Sequence, residues 1–307
     1  MRATFYSEYG GPEVLRTGEL PDPKVGPGEV LVRVRSASVN PVDWKVMSGG
    51  LDPVMDATFP VVPGWDVAGV VERVGFDTPE VSPGDEVVAY ARKDVVHGGT
   101  FAELVTVPVR AIAYKPKSLD WDAAAGLPLA GLTAQRALAA VGLTDGDTVL
   151  VHAAAGGVGA LAVQVARALG ARVIGTASPA NHDFVASLGA EPVAYGDGVV
   201  DRVRALAPAG VDAVVDLVGG VLDVTTAVLR DGGRHASIAD GSVAEAGGRY
   251  VWVRPDGPGL AALADLADGG HLSVPVARTF GLDEVADAFR LSMDGHTRGK
   301  IAIRVSE

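Results

Sequence analysis

The sequence predicts an α/β protein in two parts, a β-rich one followed by a doubly wound parallel sheet. Three observations predict it. The first third is a series of short strand-like runs punctuated by Gly and Pro, the pattern of a small barrel or rolled sheet. From Asp147 onward, short aliphatic runs alternate with helix-length segments, the rhythm of right-handed βαβ crossovers. Finally, 48% of the 307 residues are hydrophobic but only 6% aromatic. The cores must therefore be built from Val, Ala, Leu and Ile, as in parallel sheets buried on both faces. At roughly 150 residues per domain, the length also predicts two domains.

The elements follow in order. Val30, Val32 and Val34 alternate with Arg33 and Arg35, a period-2 strand. Gly26-Pro27-Gly28 before it is a turn. Val39-Asn40-Pro41-Val42-Asp43 after it reads as a loop, because the residue before proline avoids the helical region. Val67 to Val74 and Glu86 to Tyr90 are further strands, and Leu119 to Val141 reads as helices broken near Gly126 to Pro128. Thr148 to His152 is then a buried strand and Ala153 to Gly159 a small-residue turn. Val158, Leu161, Ala162, Val165, Ala166 and Leu169 share one helix face, and Gly170 supplies the stop. Strands at Arg172–Thr176, Pro192–Tyr195, Val211–Val218 and His235–Ala239 continue the alternation, with a short helix at Asp183–Leu188. Helices at Gly259–Ala267 and Leu282–Met293 and a last strand at Lys300–Val305 close the chain.

Twenty-six basic against 38 acidic residues leave a net charge of −12. Such a chain repels phosphate backbones and anionic lipid, so nucleic acid and membrane are not expected as partners. The absence of cysteine excludes disulfides, thiolate nucleophiles, iron–sulfur clusters and Cys-containing zinc sites. No signal peptide is recognisable, and no apolar stretch reaches the roughly 18 residues of a membrane helix. A soluble, cytoplasmic protein is expected.

Ala153-Ala154-Ala155-Gly156-Gly157-Val158-Gly159 is a G-x-G-x-x-G turn with alanine in the first glycine position. Gly156 and Gly157 let backbone approach a pyrophosphate, Gly159 allows close helix–strand packing, and the helix N-terminus faces the anion. A glycine-rich turn also ends strands for steric reasons alone, but the strand–turn–helix context favours dinucleotide binding. The second strand ends Gly175-Thr176-Ala177-Ser178, with no acid before Asp183. Nothing there repels a 2′-phosphate and Ser178 is placed to donate to it, so NADP is favoured over NAD; Ser178 as a plain turn residue is the alternative. The six histidines are scattered without a metal-binding pair, and His152, inside a strand, reads as a core residue. No G-x-S-x-G elbow or phosphate-loop signature occurs, which leaves a nicotinamide cofactor as the reagent.

Several stretches together resemble the medium-chain dehydrogenase/reductase superfamily, in its zinc-free quinone oxidoreductase and enone reductase branch. They are Asn40-Pro41-Val42-Asp43-Trp44-Lys45, Pro63-Gly64-Trp65-Asp66-Val67-Ala68-Gly69, Pro83-Gly84-Asp85-Glu86-Val87, Gly99-Thr100-Phe101-Ala102-Glu103, Leu127 to Ala134, the glycine turn, and His296-Thr297-Arg298-Gly299-Lys300. The likeness spans nearly the whole chain. It implies a GroES-like catalytic domain at residues 1–122, completed by 255–307, and a Rossmann domain at 123–254. Zinc-binding members carry Cys and His-Glu where this chain has Asn40 and Trp65-Asp66, as well as a four-Cys cluster. Neither metal site is expected, and neither is an alcohol dehydrogenase mechanism.

The resemblance also implies site residues. Lys45 and Asn40 are the catalytic candidates: Lys45 to hydrogen-bond an enone or quinone oxygen as hydride arrives, Asn40 to lie near the nicotinamide. Cofactor contacts are expected from Asn40, Pro41, Val42, Thr133, Ala155, Gly156, Gly157, Val158, Ser178, Tyr195, Val218, Ser237, Ile238, Arg298 and Lys300. For Lys45, Arg298 and Lys300 the competing reading is a solvated cation; for Asn40, a turn former; for Thr133, helix packing; for Tyr195, a strand-end tyrosine. The expected activity is NADPH-dependent, metal-free hydride transfer to a quinone or an α,β-unsaturated carbonyl. A non-catalytic NADP(H)-binding sensor or structural protein of the same fold is the rival. Tyr250-Val251-Trp252-Val253 reads as an apolar edge strand that pairs with its twin, so a homodimer is expected.

Overall fold

The computed structural model describes residues 1–306. Residues 1–132 and 254–270, with those from 274 on, form a first unit; residues 133–253 with 271–273 form a second. The division falls ten residues beyond the one expected from sequence at 122, because helix Trp121–Ala125 packs on strands of the first unit.

The first unit contains β1 (Arg2–Phe5), β2 (Arg16–Glu19), β3 (Glu29–Val39), α1 (Pro41–Met47), β4 (Ala57–Val62), β5 (Asp66–Val74), β6 (Glu86–Tyr90), β7 (Val96–Gly98), β8 (Leu104–Pro108), β9 (Ile112–Tyr114) and α2 (Trp121–Ala125). The next helix, α3 (Pro128–Ala140), carries the division. The second unit contains β10 (Thr148–Val151), α4 (Gly157–Ala168), β11 (Arg172–Ala177), α5 (His182–Ser187), β12 (Glu191–Ala194), α6 (Val199–Leu206), β13 (Val211–Asp216), α7 (Leu222–Val228), β14 (Leu229–Ser237) and β15 (Arg249–Tyr250). The chain then returns to the first unit with α8 (Gly257–Asp268), β16 (Val276–Gly281), α9 (Val285–Met293) and β17 (Lys300–Arg304).

In the first unit the main sheet runs β16-β17-β3-β5-β6-β9, with β8 also paired to β3. β3 is its spine. Val30, Val32 and Val34 are buried as the alternation predicts, but the strand continues beyond Arg35 through two buried serines. Ser36 and Ser38 remain strand residues because their hydroxyls are satisfied, Ser36 donating to Asp122 at 2.9 Å and Ser38 to the Ile301 carbonyl at 3.0 Å. The second unit is a six-stranded, all-parallel sheet in the order β12-β11-β10-β13-β14-β15, the doubly wound order in which ligands lie beyond the carboxyl ends of the strands. One of its cores is aliphatic throughout, from Leu150 and Ile174 to Val214 and Val228.

Three local expectations change. The segment after β3, expected as a loop, is helix α1: Asn40, extended at φ −126° and ψ 150°, stands at its N-cap position with its N–H donating to Asp43, while Pro41 opens the first turn. Asn-Pro is thus a cap and first helical position, for which the fixed proline φ is suited. The edge strand expected over Tyr250 to Val253 is a two-residue parallel strand, Arg249–Tyr250, after which only the Val251 N–H bonds back, to Ser237. Helices α6 and α7 were hidden by their length, eight and seven residues.

Candidate active site

The glycine turn of the second unit follows from its packing. Ala153 adopts a left-handed φ of 55°, and the N–H groups of Ala153 and Ala154 donate to Thr176, tying the turn to β11. A Cβ on Gly159 would stand 2.1 Å from the Ala153 carbonyl oxygen, so glycine is obligatory there. Alanine is accepted at 154 because Gly175 on β11 leaves it room: a Cβ on Gly175 would meet that of Ala154 at 2.7 Å. Gly156 caps α4 without a side chain, so the first-turn N–H groups stay open to an anion, as a dinucleotide pyrophosphate requires. His152 beneath the turn is 3% exposed between the hydroxyls of Thr176 and Thr225. Burial lowers its pKa to about 4, so it is a neutral core residue.

The other cofactor candidates of this unit gather along the same sheet edge. Ser178 follows β11, which ends in Ala177 with no acid, and its Oγ accepts from Asn181 Nδ2 at 3.2 Å. Tyr195 follows β12 and is exposed; its loop is clamped by the Arg202 guanidinium, which donates to the carbonyls of Ala194, Gly196 and Asp197. Val218, exposed, follows β13, where Asp216 accepts the N–H groups of Val218 and Gly219 at 2.9 and 2.8 Å. Ser237, at the end of β14, is buried: its hydroxyl donates to Asp216 at 2.7 Å and accepts from the N–H groups of Ala239 and Asp240. Ser237 therefore shapes the edge through other residues, while the adjoining Ile238 is half-buried. Ala155, Gly156, Gly157 and Val158 complete the row after β10, and Thr133, in α3, is buried.

The first unit holds an arrangement the sequence did not announce. Asn40, Asp43, Asp66 and Lys300 are 3%, 2%, 0% and 4% exposed and form one cluster. Lys300 Nζ donates to Asn40 Oδ1 at 2.6 Å and lies 3.5 Å from Asp66 Oδ2. Asn40 Nδ2 donates to Asp66 Oδ2 at 2.9 Å, and the Leu129 N–H donates to Asp66 Oδ1 at 2.7 Å. Asp43 Oδ2 accepts the Asn40 N–H at 2.7 Å, the N-terminal bond of α1. Burial works against both charges of the Lys300–Asp66 pair, lowering the lysine and raising the carboxyl, while their mutual attraction and Asn40 oppose it. Burial also pushes Asp43 up to about 8, so it carries a proton at neutral pH and the cluster is balanced by one ion pair.

This differs from what the sequence suggested for two residues. Lys300 was expected to face a cofactor. It opens β17, which lies between β16 and β3 inside the sheet, and its ammonium is spent within the cluster. Asn40 was expected near the nicotinamide; both ends of its amide are engaged by Asp66 and Lys300. Lys45 is exposed on α1, its ammonium 5.5 Å from the centre of the Trp44 ring; Pro41 and Arg298 are exposed and Val42 half-buried. Asp43 and Asp66 carried one signal: each is an acid set in an apolar run, which calls for a buried partner. Among the described residues, no group of three or more His, Asp or Glu is placed to hold a metal ion, and no helix is long and apolar enough to cross a membrane.

A GroES-like strand-rich unit completed by the C-terminal segment, joined to a doubly wound unit with this glycine turn, defines a medium-chain dehydrogenase/reductase. The comparisons agree. Residues 26–117 match the alcohol dehydrogenase GroES-like domain and residues 188–303 the model described as zinc-binding dehydrogenase. An NADPH-dependent alkenal/one oxidoreductase of Arabidopsis thaliana is 35% identical over 99% of this chain and 79% of its own length. A quinone oxidoreductase from Coxiella burnetii superposes with a TM-score of 0.88 at 34% identity, covering 100% of this chain and 99% of that one. A mycobacterial protein solved with NADPH superposes at 0.86, with 31% identity over 99% of this chain and 100% of that one. The chain belongs to the zinc-independent quinone oxidoreductase and enone reductase branch of that family.

Proposed function

We propose that this protein is an NADPH-dependent reductase of quinones or α,β-unsaturated carbonyl compounds. The observation that carries the reading is the row along the carboxyl edge of the second unit: the open first turn of α4 beside a second strand that ends without an acid. The chain's own work is to hold and orient. The α4 turn receives the pyrophosphate, Ser178 the 2′-phosphate, and Tyr195, Val218 and Ile238 flank the dinucleotide, with Asp216 and Ser237 fixing their backbone. When bound, the reduced nicotinamide supplies the hydride. The Lys300–Asp66–Asn40 cluster keeps the start of α1 rigid, and Lys45 on that helix presents its ammonium at the surface. The expected outcome is oxidation of NADPH, followed at 340 nm, with 1,4-benzoquinone or but-3-en-2-one and faster than with NADH. No consumption with either acceptor overturns the reading. A homodimer is part of the same proposal, since Tyr250 in the edge strand β15 and Trp252 just after it are 46% and 40% exposed, and so is a place in the cytoplasm.

A further inference from the structure

A cavity in the first unit is lined by Tyr6, Asp43, Trp65, Lys93 and His97 among others. The whole cavity offers about 10 Å³ to a water-sized group, enough for one oxygen and too little for a ring, and it opens to solvent. Two of its lining residues each carry a buried polar atom that makes no hydrogen bond, Tyr6 Oη and Asp43 Oδ1. Burial raises the Tyr6 phenol, so it keeps its proton, as Asp43 does. Both therefore carry hydroxyl hydrogens without an acceptor.

Lys93 adds a cation. Its ammonium donates to the neutral Thr106 hydroxyl at 3.0 Å, and among the described residues no carboxylate stands within 4.0 Å of it. Burial lowers its pKa, with only a weaker opposing pull from Glu29. A half-buried ammonium without a counter-ion is costly unless an electron-rich oxygen meets it. Trp65, 7% exposed and packed on Tyr90 with ring centres 6.1 Å apart, gives the cavity a flat apolar wall. Donors without acceptors, and a cation without a carboxylate partner, around a cavity with room for one oxygen together fit the oxygen of a carbonyl compound.

We propose that Lys93 anchors the oxygen of the acceptor, which enters the cavity beside Tyr6, Asp43 and Trp65 while its carbon skeleton stays at the open side. The inference rests on the reductase reading and names a binding residue for it. Lys45, exposed and screened by solvent, is then the lesser cation.

The test uses the full chain and the variants Lys93→Met, Lys93→Gln and Lys93→Arg. Removing a charged hydrogen bond should lower kcat/KM for 1,4-benzoquinone and but-3-en-2-one by about 10- to 100-fold, with NADPH affinity by calorimetry unchanged and Lys93→Arg recovering part of the loss. Lys93→Gln keeps a donor for Thr106 and should show the same deficit should Lys93→Met fail to fold. Benzoate, a planar probe that needs no turnover, should bind the cofactor-free protein in saturation-transfer NMR and not bind Lys93→Met. Wild-type kinetics and benzoate binding in Lys93→Met and Lys93→Gln overturn the inference, as does a loss confined to Lys45→Ala. A wild-type protein that reduces neither acceptor yet binds benzoate through Lys93 instead overturns the reductase reading and leaves the anchor standing.

Discussion

At Asp43 the fold holds a buried carboxyl, and the consequence is measurable. The group ionises at 3.8 in the unfolded chain and at about 8 in the folded one. Between those values the folded protein binds the extra proton, so stability is fully present below the lower value and is lost as pH rises toward the higher. Asp43→Asn keeps an acceptor for the Asn40 N–H and removes the titration. Its melting temperature should match wild type near pH 4 and exceed it by about 5 °C or more at pH 8; calorimetry at the two pH values decides, and a deficit at pH 8 contradicts the account. At this scale the sequence was partly legible. Asp43 and Asp66 stood within recognisable stretches, but nothing in their spacing points to Lys300, 260 positions from Asn40. Pairing across that distance is decided by strand order alone. Lys93 was illegible for a like reason, since an unpaired cation is defined by neighbours it lacks in space.

Among the elements, the α4 turn was the most legible because its signal is local. The apolar spacing from Val158 to Leu169 and the Gly170 stop nearly reproduce the observed helix, Gly157–Ala168. The same turn gives the sharpest element-level prediction. Gly159→Ala would drive a methyl to 2.1 Å from the Ala153 carbonyl, forcing α4 away from β10 at a cost of about 1–3 kcal/mol. The outcome should be NADPH binding weakened by about 10-fold or more in calorimetry, with the first unit's amide exchange unchanged. Unaltered affinity would mean that the turn does not hold the pyrophosphate. Elements whose form depends on a neighbour were less legible. Asn40-Pro41 is locally compatible with turn or cap, and only the helix that follows decides; Tyr250 to Val253 is apolar enough for a strand, but β14 offers it only a short partner.

Across the whole molecule, the class of fold was readable because alternation and length survive any error in single elements, and a parallel, doubly wound sheet is what alternation implies. Association belongs to this scale. Light scattering should return twice the chain mass, and Trp252→Glu should shift the protein to single copies; a wild-type monomer would refute the dimer. The place of β17 has one more outcome. Strand β17 is an interior member of the sheet whose earliest strand is β3, and it delivers the ammonium that neutralises Asp66. During synthesis, then, the part made first stands open along β3 with an uncompensated acid inside, while residues 133–253 can already close. The sheet around β3 is completed only when β17 arrives, and a ribosome that stalls before residue 300 leaves behind a sheet with an empty slot.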